Sequence, residues 1–222
     1  MAQLSERQHV ILEEIVRTYI RKAVPISSQH IAKKGFIPSS PASIRHIMMD
    51  LEEDGYLFQP HTSAGRIPTQ KAYRFFVDNC IKQGDNSRSS FGYLLEKLET
   101  WDERTRMITK KAHVFAAVLD EDEITHFGTA GLFSEPEFIQ NAEMIRAFGS
   151  IMDSLAAILE EYHEATRNAL LPRVFIEREN PVPETRRMSI VASPLNNERG
   201  VVIALGPSRM NYETVITILQ NC

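Results

Sequence analysis

Residues 38–69 read PSSPASIRHIMMDLEEDGYLFQPHTSAGRIPT, and this stretch decides the fold of the first part of the chain. Ser40 is a favoured helix N-cap, Pro41 occupies the first helical position and Gly55 is a typical C-terminal stop. Together they predict a helix with clear limits. The apolar residues 56–58 and the polar, glycine-containing stretch after them predict a short β-hairpin directly behind that helix.

The two faces of this helix separate when its residues are placed about 100° apart. One face is apolar and is predicted to be buried: Ile44, Ile47, Met48 and Leu51. The opposite face is predicted to point outward: Ala42, Arg45, His46, Met49 and Glu53. The outward face is small and polar near the N-terminus and acidic near the C-terminus. This polarity is typical of a helix that enters a major groove with its N-terminus first.

Two further helices are predicted upstream. The first spans residues 4–23, where Ser5 and Gln8 have the spacing of a capping box. The second is short, starts near residue 28 and ends at Gly35. Three helices followed by a hairpin is the element order of a winged helix-turn-helix domain.

The charge of the chain is distributed unevenly. Residues 1–82 carry 11 Lys and Arg against 8 Asp and Glu, whereas residues 83–222 carry 14 against 21. A basic first part suggests a polyanionic partner. Residues 83–90, which are rich in Gly, Asn and Ser, are predicted to be a linker. We therefore predict an α+β chain with a DNA-binding domain at 1–82 and a helical dimerisation segment with a regulatory domain at 91–222.

The second part is predicted to contain long helices at 91–118 and 136–168. Three β-branched runs follow, at 173–178, 186–193 and 199–206, and indicate one small antiparallel sheet. A last helix is predicted to start near Asn211. The long amphipathic helices are suited to a dimer interface, although a helix pair within one chain would have the same pattern. A sheet this short is a poor candidate for a deep ligand pocket.

The candidate DNA-contacting residues lie on the outward helix face and in the hairpin: Ser40, Ser43, Arg45, His46, His61, Thr62, Ser63 and Arg66. Arg45 and His46 are predicted to contact base edges, and the two serines of the helix start are predicted to contact phosphates.

Two of these assignments have alternatives. Arg45 would instead form an ion pair with Asp50 or Glu52 if those side chains turn towards it. Arg66, placed in the hairpin to reach phosphates or a narrow minor groove, would otherwise be a solvated loop residue.

Enzyme motifs are missing from the sequence. It contains no GxxxxGK[ST], no HExxH and no GxSxG, and its histidines and cysteines lack metal-ligand spacing, so we predict no catalysis, no cofactor and no metal. The start of the sequence lacks the pattern of a signal peptide, and a cytoplasmic location is expected. Arg209 in GPSRMNY either binds an anion at the start of a helix or pairs with an acidic neighbour in a structural turn.

The N-terminal sequence also resembles a known family. Residues 4–78, and above all QPHTSAGRIPT at 59–69, resemble the bacterial heat-inducible transcription repressors called HrcA. The likeness resumes in GTAGLFSEPEF at 128–138, in IERENP at 176–181 and in GVVIALGPSRMNYETVITIL at 200–219. The chain departs from the family pattern at Ser43, His46, Gln70 and Ala72, where the family usually has Thr, Asn, Asp and Gly. The segment LDEDEITHF at 119–127 stands in place of a much longer part of the family's GAF-like domain.

The resemblance implies a repressor of chaperone operons that binds the CIRCE inverted repeat as a homodimer. It also implies that the GroE chaperonin or heat modulates the activity, and that the GAF-like regulatory domain is reduced. Two other function classes remain open. One is a ligand-responsive winged-helix regulator of a metabolic operon, and the other is an interaction module that no longer binds DNA.

Overall fold

A computed structural model describes residues 4–35, 38–83, 100–195 and 200–220 of the chain. The chain divides into two compact units, Met1–Asp78 and Asn79–Cys222. Both contain helices and antiparallel strands, which confirms the prediction of a mixed helix-and-sheet protein. Apart from Gln83, the predicted linker at 83–90 lies outside the described residues. No helix within the described ranges is long and apolar enough to cross a membrane.

The first unit consists of helices and one two-stranded ribbon. In chain order its elements are α1 (Glu6–Lys22), α2 (Ser28–Lys34), α3 (Pro41–Glu53), β1 (Leu57–Phe58), β2 (Ile67–Pro68) and α4 (Gln70–Gln83), whose last five residues fall in the second unit. The predicted helix limits are confirmed. Ser5 and Gln8 form the capping box of α1, Gly35 ends α2 with a φ of 70°, and the hydroxyl of Ser40 caps α3. These limits follow from local chemistry, because each cap satisfies backbone groups at a helix end.

The core of the first unit confirms the predicted faces of α3. Ile44, Met48 and Leu51 are buried, and Ile47 is half-buried. They belong to an apolar core to which α1 contributes Ile11, Leu12, Ile15 and Val16, and α4 contributes Ala72, Phe76 and Val77. Because this apolar side of α3 is fixed in the core, its polar side faces outward.

The second unit has a five-stranded antiparallel sheet with strand order β4-β3-β7-β6-β5. Its elements in chain order are α5 (Trp101–Ala112), β3 (Phe115–Asp120), β4 (Glu123–Phe127), α6 (Thr129–Phe133), α7 (Pro136–Gln140), α8 (Ala142–Asp153), α9 (Leu155–Thr166), β5 (Arg173–Ile176), β6 (Ser189–Pro194), β7 (Gly200–Gly206) and α10 (Tyr212–Gln220). Short 3₁₀ turns at Glu177–Glu179 and Pro183–Thr185 join β5 to β6.

Helices cover both faces of this sheet. Alternate residues of β3, such as Phe115, Ala117 and Leu119, belong to a core cluster with apolar side chains of α8 and α9. The residues between them, Ala116 and Val118, are also buried, on the side where α5 and α10 pack. The sheet is therefore the middle of three layers, and its central strands are apolar on both faces.

The predicted helix at 91–118 is wrong at its C-terminal end. Within the described residues, α5 ends at Ala112, His113 caps it in a left-handed conformation, and Phe115–Asp120 form strand β3. The run VFAAVL has no alternation because both faces of the strand are buried, and a short continuous apolar run fits a buried helix equally well.

The predicted single helix at 136–168 is also wrong. It is divided into α7, α8 and α9, with Asn141 capping α8 and Ser154 separating α8 from α9. The three predicted strands are present, but β3 and β4 were missed. These two strands pair from Ala116–Phe127 to Asp120–Glu123, so the segment at 119–127 lies in a tight hairpin.

A buried polar cluster joins α9 to the two 3₁₀ turns. The Tyr162 hydroxyl donates to Asn180 Oδ1 at 2.6 Å and lies 2.9 Å from Thr185 Oγ1. Asn180 Nδ2 in turn donates to the carbonyl of Met188 at 2.9 Å. Burial raises the pKa of Tyr162, so its hydroxyl keeps its proton and remains a donor. The asparagine of the IERENP stretch is therefore structural, because its amide links the 3₁₀ turns to the residue before β6.

Removing the Tyr162 hydroxyl tests this cluster. Tyr162→Phe leaves Asn180 Oδ1 buried without its donor, and we expect the free energy of unfolding to fall by about 1–3 kcal/mol. Tyr56→Phe is the matched control, because the Tyr56 hydroxyl has no hydrogen bond within the described residues. Denaturant unfolding followed by circular dichroism measures both. Equal stability of Tyr162→Phe and the unmodified protein would contradict this role.

Candidate nucleic-acid interface

The start of α3 carries two exposed serines, Ser40 and Ser43, that are in hydrogen-bond contact. Ser40 Oγ accepts a hydrogen bond from the backbone N–H of Ser43 at 3.1 Å, and the two hydroxyl oxygens are 3.1 Å apart. Pro41 lies between them at the first helical position, where a missing N–H costs nothing. Ser40 and Ser43, the two predicted phosphate contacts, therefore both lie at the exposed start of α3. The Ser40 hydroxyl oxygen already caps the helix.

Arg45 and His46 lie on the outward face of α3 and are exposed. Within the described part of the chain, Arg45 forms no ion pair with Asp50 or Glu52, so the alternative predicted for it is not observed. Arg45 is followed along the helix by exposed acidic residues, Asp50 and Glu53. The outward face thus carries positive charge near its N-terminus and negative charge near its C-terminus.

Gln59 makes hydrogen bonds across the tip of the ribbon that follows α3. Its strands pair Leu57 with Pro68 and Phe58 with Ile67. At the tip, Gln59 Nε2 donates to the carbonyl oxygens of Thr62 at 3.0 Å and Ala64 at 2.8 Å. The side-chain amide of Gln59 therefore stabilises the conformation of the ribbon tip. Gln59 was not among the predicted site residues, although its position between an apolar strand and Pro60 is compatible with such a bond.

The tip therefore presents three of the predicted contact residues outward: His61, Thr62 and Ser63 are all exposed. They follow Gln59, whose N–H donates a hydrogen bond to the carboxylate of Glu52 in α3 at 3.0 Å. This hydrogen bond fixes the ribbon against α3. The outward helix face and the ribbon tip both expose polar side chains that could contact a partner.

The structure corrects the predicted position of Arg66. Its side chain is 10% exposed, and its Nε lies 2.7 Å from Glu52 Oε2 of α3. The N–H does not point along this line, so the contact is an ion pair without a directional hydrogen bond. Arg66 is neither extended towards a partner nor solvated, because the negative charge of Glu52 holds it against the helix.

Gly65 lies against the chain segment before α2. The backbones of Ile26 and Arg66 exchange two hydrogen bonds of 2.9 and 2.8 Å. A Cβ at position 65 would lie 2.4 Å from the carbonyl carbon of Ile26, which no normal contact allows. Only glycine lets the ribbon approach the Ile26 backbone this closely.

Arg209 in the second unit is a structural residue. It is 7% exposed and its guanidinium binds Glu137 through Nε at 2.6 Å and Nη2 at 2.9 Å, with Glu135 as a second partner. Of the two predicted roles, pairing with acidic neighbours is confirmed. Across the described residues, no group of three or more His, Cys, Asp or Glu side chains could hold a metal ion.

Comparison with known proteins supports the resemblance seen in the sequence. Residues 80–216 match the family described as HrcA protein C terminal domain. A heat-inducible transcription repressor HrcA of Brevibacillus brevis is 36% identical over 202 residues, which cover 91% of this chain and 44% of that protein. The HrcA protein of Geobacter sulfurreducens is 51% identical over 81 residues, covering 36% and 24%. The chain thus matches less than half the length of these relatives.

One solved structure has the same fold. The crystal structure of a hypothetical protein at 2.2 Å resolution superimposes with a TM-score of 0.79 at 16% sequence identity. The match covers 97% of this chain and 95% of that one.

The Arg66–Glu52 ion pair has a measurable consequence. Arg66→Ala leaves the Glu52 carboxylate without its partner, and we expect the free energy of unfolding to fall by about 1–3 kcal/mol. Arg45→Ala is the matched control and should change it by less than about 0.5 kcal/mol, because that side chain is exposed. Denaturant unfolding of the two variants checks this difference. If both variants lose the same stability, Arg66 does not anchor the ribbon.

Proposed function

Because this chain belongs to the HrcA family of heat-inducible transcription repressors, we propose that it is a DNA-binding repressor of heat-shock operons. The observation that carries the proposal is the outward face of α3. It presents Arg45 and His46 beside a ribbon tip with exposed polar side chains. The helices α1–α3 and the ribbon, in this order, support a winged helix-turn-helix domain, with α3 as the recognition helix and the ribbon as the wing.

The proposed contacts divide into two kinds. Arg45 and His46 read base edges in the major groove, where arginine pairs well with guanine. Ser40 and Ser43 at the start of α3, together with the tip residues His61–Ser63, meet the phosphates and position the helix. Arg66, which is paired with Glu52 of α3, positions the wing in this proposal.

Two copies of the chain are needed for specific recognition. One winged-helix module covers too few base pairs to select a site in a genome, so we propose a homodimer on an inverted repeat. The family resemblance makes this repeat the CIRCE element upstream of chaperone operons. The second unit, a reduced GAF-like domain in this proposal, would then serve dimerisation or regulation.

Heat or the GroE chaperonin is the proposed regulator, again on the basis of the family resemblance. Chaperonin would keep the repressor folded and active, and unfolded client proteins would occupy it during heat shock. DNA-binding titrations with and without purified chaperonin test this step. Identical binding curves after mild heating would contradict it.

The central experiment compares an inverted-repeat duplex with a scrambled duplex by fluorescence anisotropy over a series of salt concentrations. We expect about a thousandfold preference for the inverted repeat. The affinity for both duplexes should fall with salt, because binding releases counterions from phosphates. Analytical ultracentrifugation should give two chains for each inverted repeat. Equal affinity for the two duplexes would contradict a sequence-specific repressor.

An Arg45 variant identifies the reading residue in the same assay. Arg45→Ala should weaken binding to the inverted repeat by about 1–3 kcal/mol and relax specificity at one base pair of each half-site. Arg7→Ala, which removes a positive charge from an exposed position on α1, should leave the base preference unchanged. An equal loss on all duplexes for Arg45→Ala would contradict its base-reading role.

A further inference from the structure

The five-stranded sheet of the second unit ends in strand β4 on one side and in β5 on the other. An end strand pairs with a neighbour along only one of its edges, so the N–H and C=O groups of its outer edge need another partner. Native proteins satisfy or block such an edge, because an unpaired row of backbone groups binds further strands. The two ends of this sheet differ in how the outer edge is treated.

The outer edge of β5 is satisfied within the chain. The ladder of β5 and β6, continued by the hydrogen bond from the N–H of Glu177 to the carbonyl of Met188, directs the backbone of Ile176 outward. The carboxylate of Glu179 accepts a hydrogen bond from this outward N–H at 3.0 Å. The strand is also only four residues long and follows Pro172, which has no N–H. This edge is therefore blocked against a further strand.

The outer edge of β4 has no such protection among the described residues. β4 pairs with β3 along its whole length without a bulge, starting at the Asp120–Glu123 pair that closes a two-residue turn. In such a ladder every second residue bonds to the neighbouring strand, which leaves the backbone N–H and C=O groups of Ile124 and His126 directed outward. Nothing in the described part of the chain forms a hydrogen bond with these four groups.

The charged groups beside the two ends of β4 have opposite signs. The turn before the strand carries Asp122 and Glu123, which are both exposed. Beside the other end, Arg106 of α5 lies over the Phe127 ring, with its guanidinium carbon 3.9 Å from the ring centre, and Lys110 follows one helical turn later. None of these four charged side chains forms an ion pair within the described ranges. A strand edge with an acidic start and a basic end is complementary to a copy of itself that runs in the opposite direction.

We propose that β4 pairs in antiparallel orientation with β4 of a second copy of this chain, so that two sheets join into one across a two-fold axis at Thr125. This register places Ile124 of each copy opposite His126 of the other, and these two residues carry the outward backbone groups. All four groups of each copy then gain partners. The inference rests on the homodimer of the proposed function and names the surface through which it forms.

The side of the sheet that faces α5 agrees with this register. Thr125 donates a hydrogen bond to Asp102 of α5 at 3.1 Å. Arg106, one turn later, lies over Phe127, so α5 runs beside β4 in the same direction. In the dimer, Glu123 lies opposite Phe127 of the second copy and meets its Arg106.

The two α5 helices take part in the same interface. They run antiparallel about the two-fold axis, so that the acidic first turn of one helix lies beside the basic last turn of the other. A specific dimer usually buries about 1,200–2,000 Å² in total, which exceeds what one short strand pair provides. Strand pairing supplies the directional hydrogen bonds, and α5 supplies further area and charge complementarity.

Analytical ultracentrifugation of the full chain without DNA tests this surface through two charge reversals. Glu123→Lys and Arg106→Glu each place like charges opposite each other twice in the dimer, and each should raise the dimer dissociation constant about tenfold. An equimolar mixture of the two variants should recover the affinity of the unmodified protein, because both contacts regain opposite charges in the mixed dimer. The control Glu184→Lys, which reverses an exposed charge in the turns between β5 and β6, should leave dimerisation unchanged.

A disulfide tests the register independently of these charges. Directly opposite residues that share no hydrogen bonds have Cα atoms about 4.5 Å apart, which is within the range of a disulfide. Thr125→Cys should therefore give a covalent dimer under mild oxidation. Glu184→Cys should give no more covalent dimer than the unmodified protein, whose own cysteines are Cys80 and Cys222.

The proposed surface is overturned if the unmodified protein is monomeric, or if the mixture of variants dimerises no better than each variant alone. Binding to the inverted repeat is measured separately and distinguishes the two proposals. If the repeat is preferred although the surface is overturned, the repressor function stands with a different dimer interface. If the mixture restores the dimer but no duplex is preferred, the β4 surface stands and the repressor function fails.

Discussion

The first unit depends on the contact between the Ile26 backbone and the ribbon. Two backbone hydrogen bonds join Ile26 to Arg66, and Gly65 allows an approach that any Cβ would prevent. Since this contact fixes the return strand, Arg66 lies where it can pair with Glu52 of α3. Glu52 also receives the N–H of Gln59, so one carboxylate holds both arms of the ribbon against the helix. The relative position of helix face and ribbon tip, and therefore the whole candidate interface, follows from this arrangement.

The second unit follows a different constraint, since its central sheet strands are apolar on both faces and need helices on each side. The segment at 119–127 forms a hairpin, because β3 and β4 pair directly across a tight turn. Arg209 and Asn180, both in stretches that resemble the family, are structural. Arg209 links α7 to the turn after β7, and Asn180 links the 3₁₀ turns to the residue before β6.

Helix ends can be predicted from the sequence, because they depend on residues close together in the chain. The ends of α1, α2 and α3 were correct because Ser5, Gly35 and Ser40 act on backbone groups within a few residues. Strand β3 was missed, because an apolar run buried on both faces has no periodicity to separate it from a helix. The position of Arg66 was wrong for a related reason. Its partner Glu52 is set by the packing of the ribbon on α3, and nothing in the sequence around Arg66 indicates that contact.

The central claim is that α3 enters DNA with its N-terminal half, and photocrosslinking tests it most directly. Positions 42 and 53 are both exposed on α3 and are about 16 Å apart along the helix axis. A diazirine amino acid would be placed at one position or the other, and the protein bound to an inverted-repeat duplex and irradiated. The account predicts crosslinks to bases of each half-site from position 42 and almost none from position 53. Equal crosslinking from both positions, or crosslinking from position 53 alone, would contradict it.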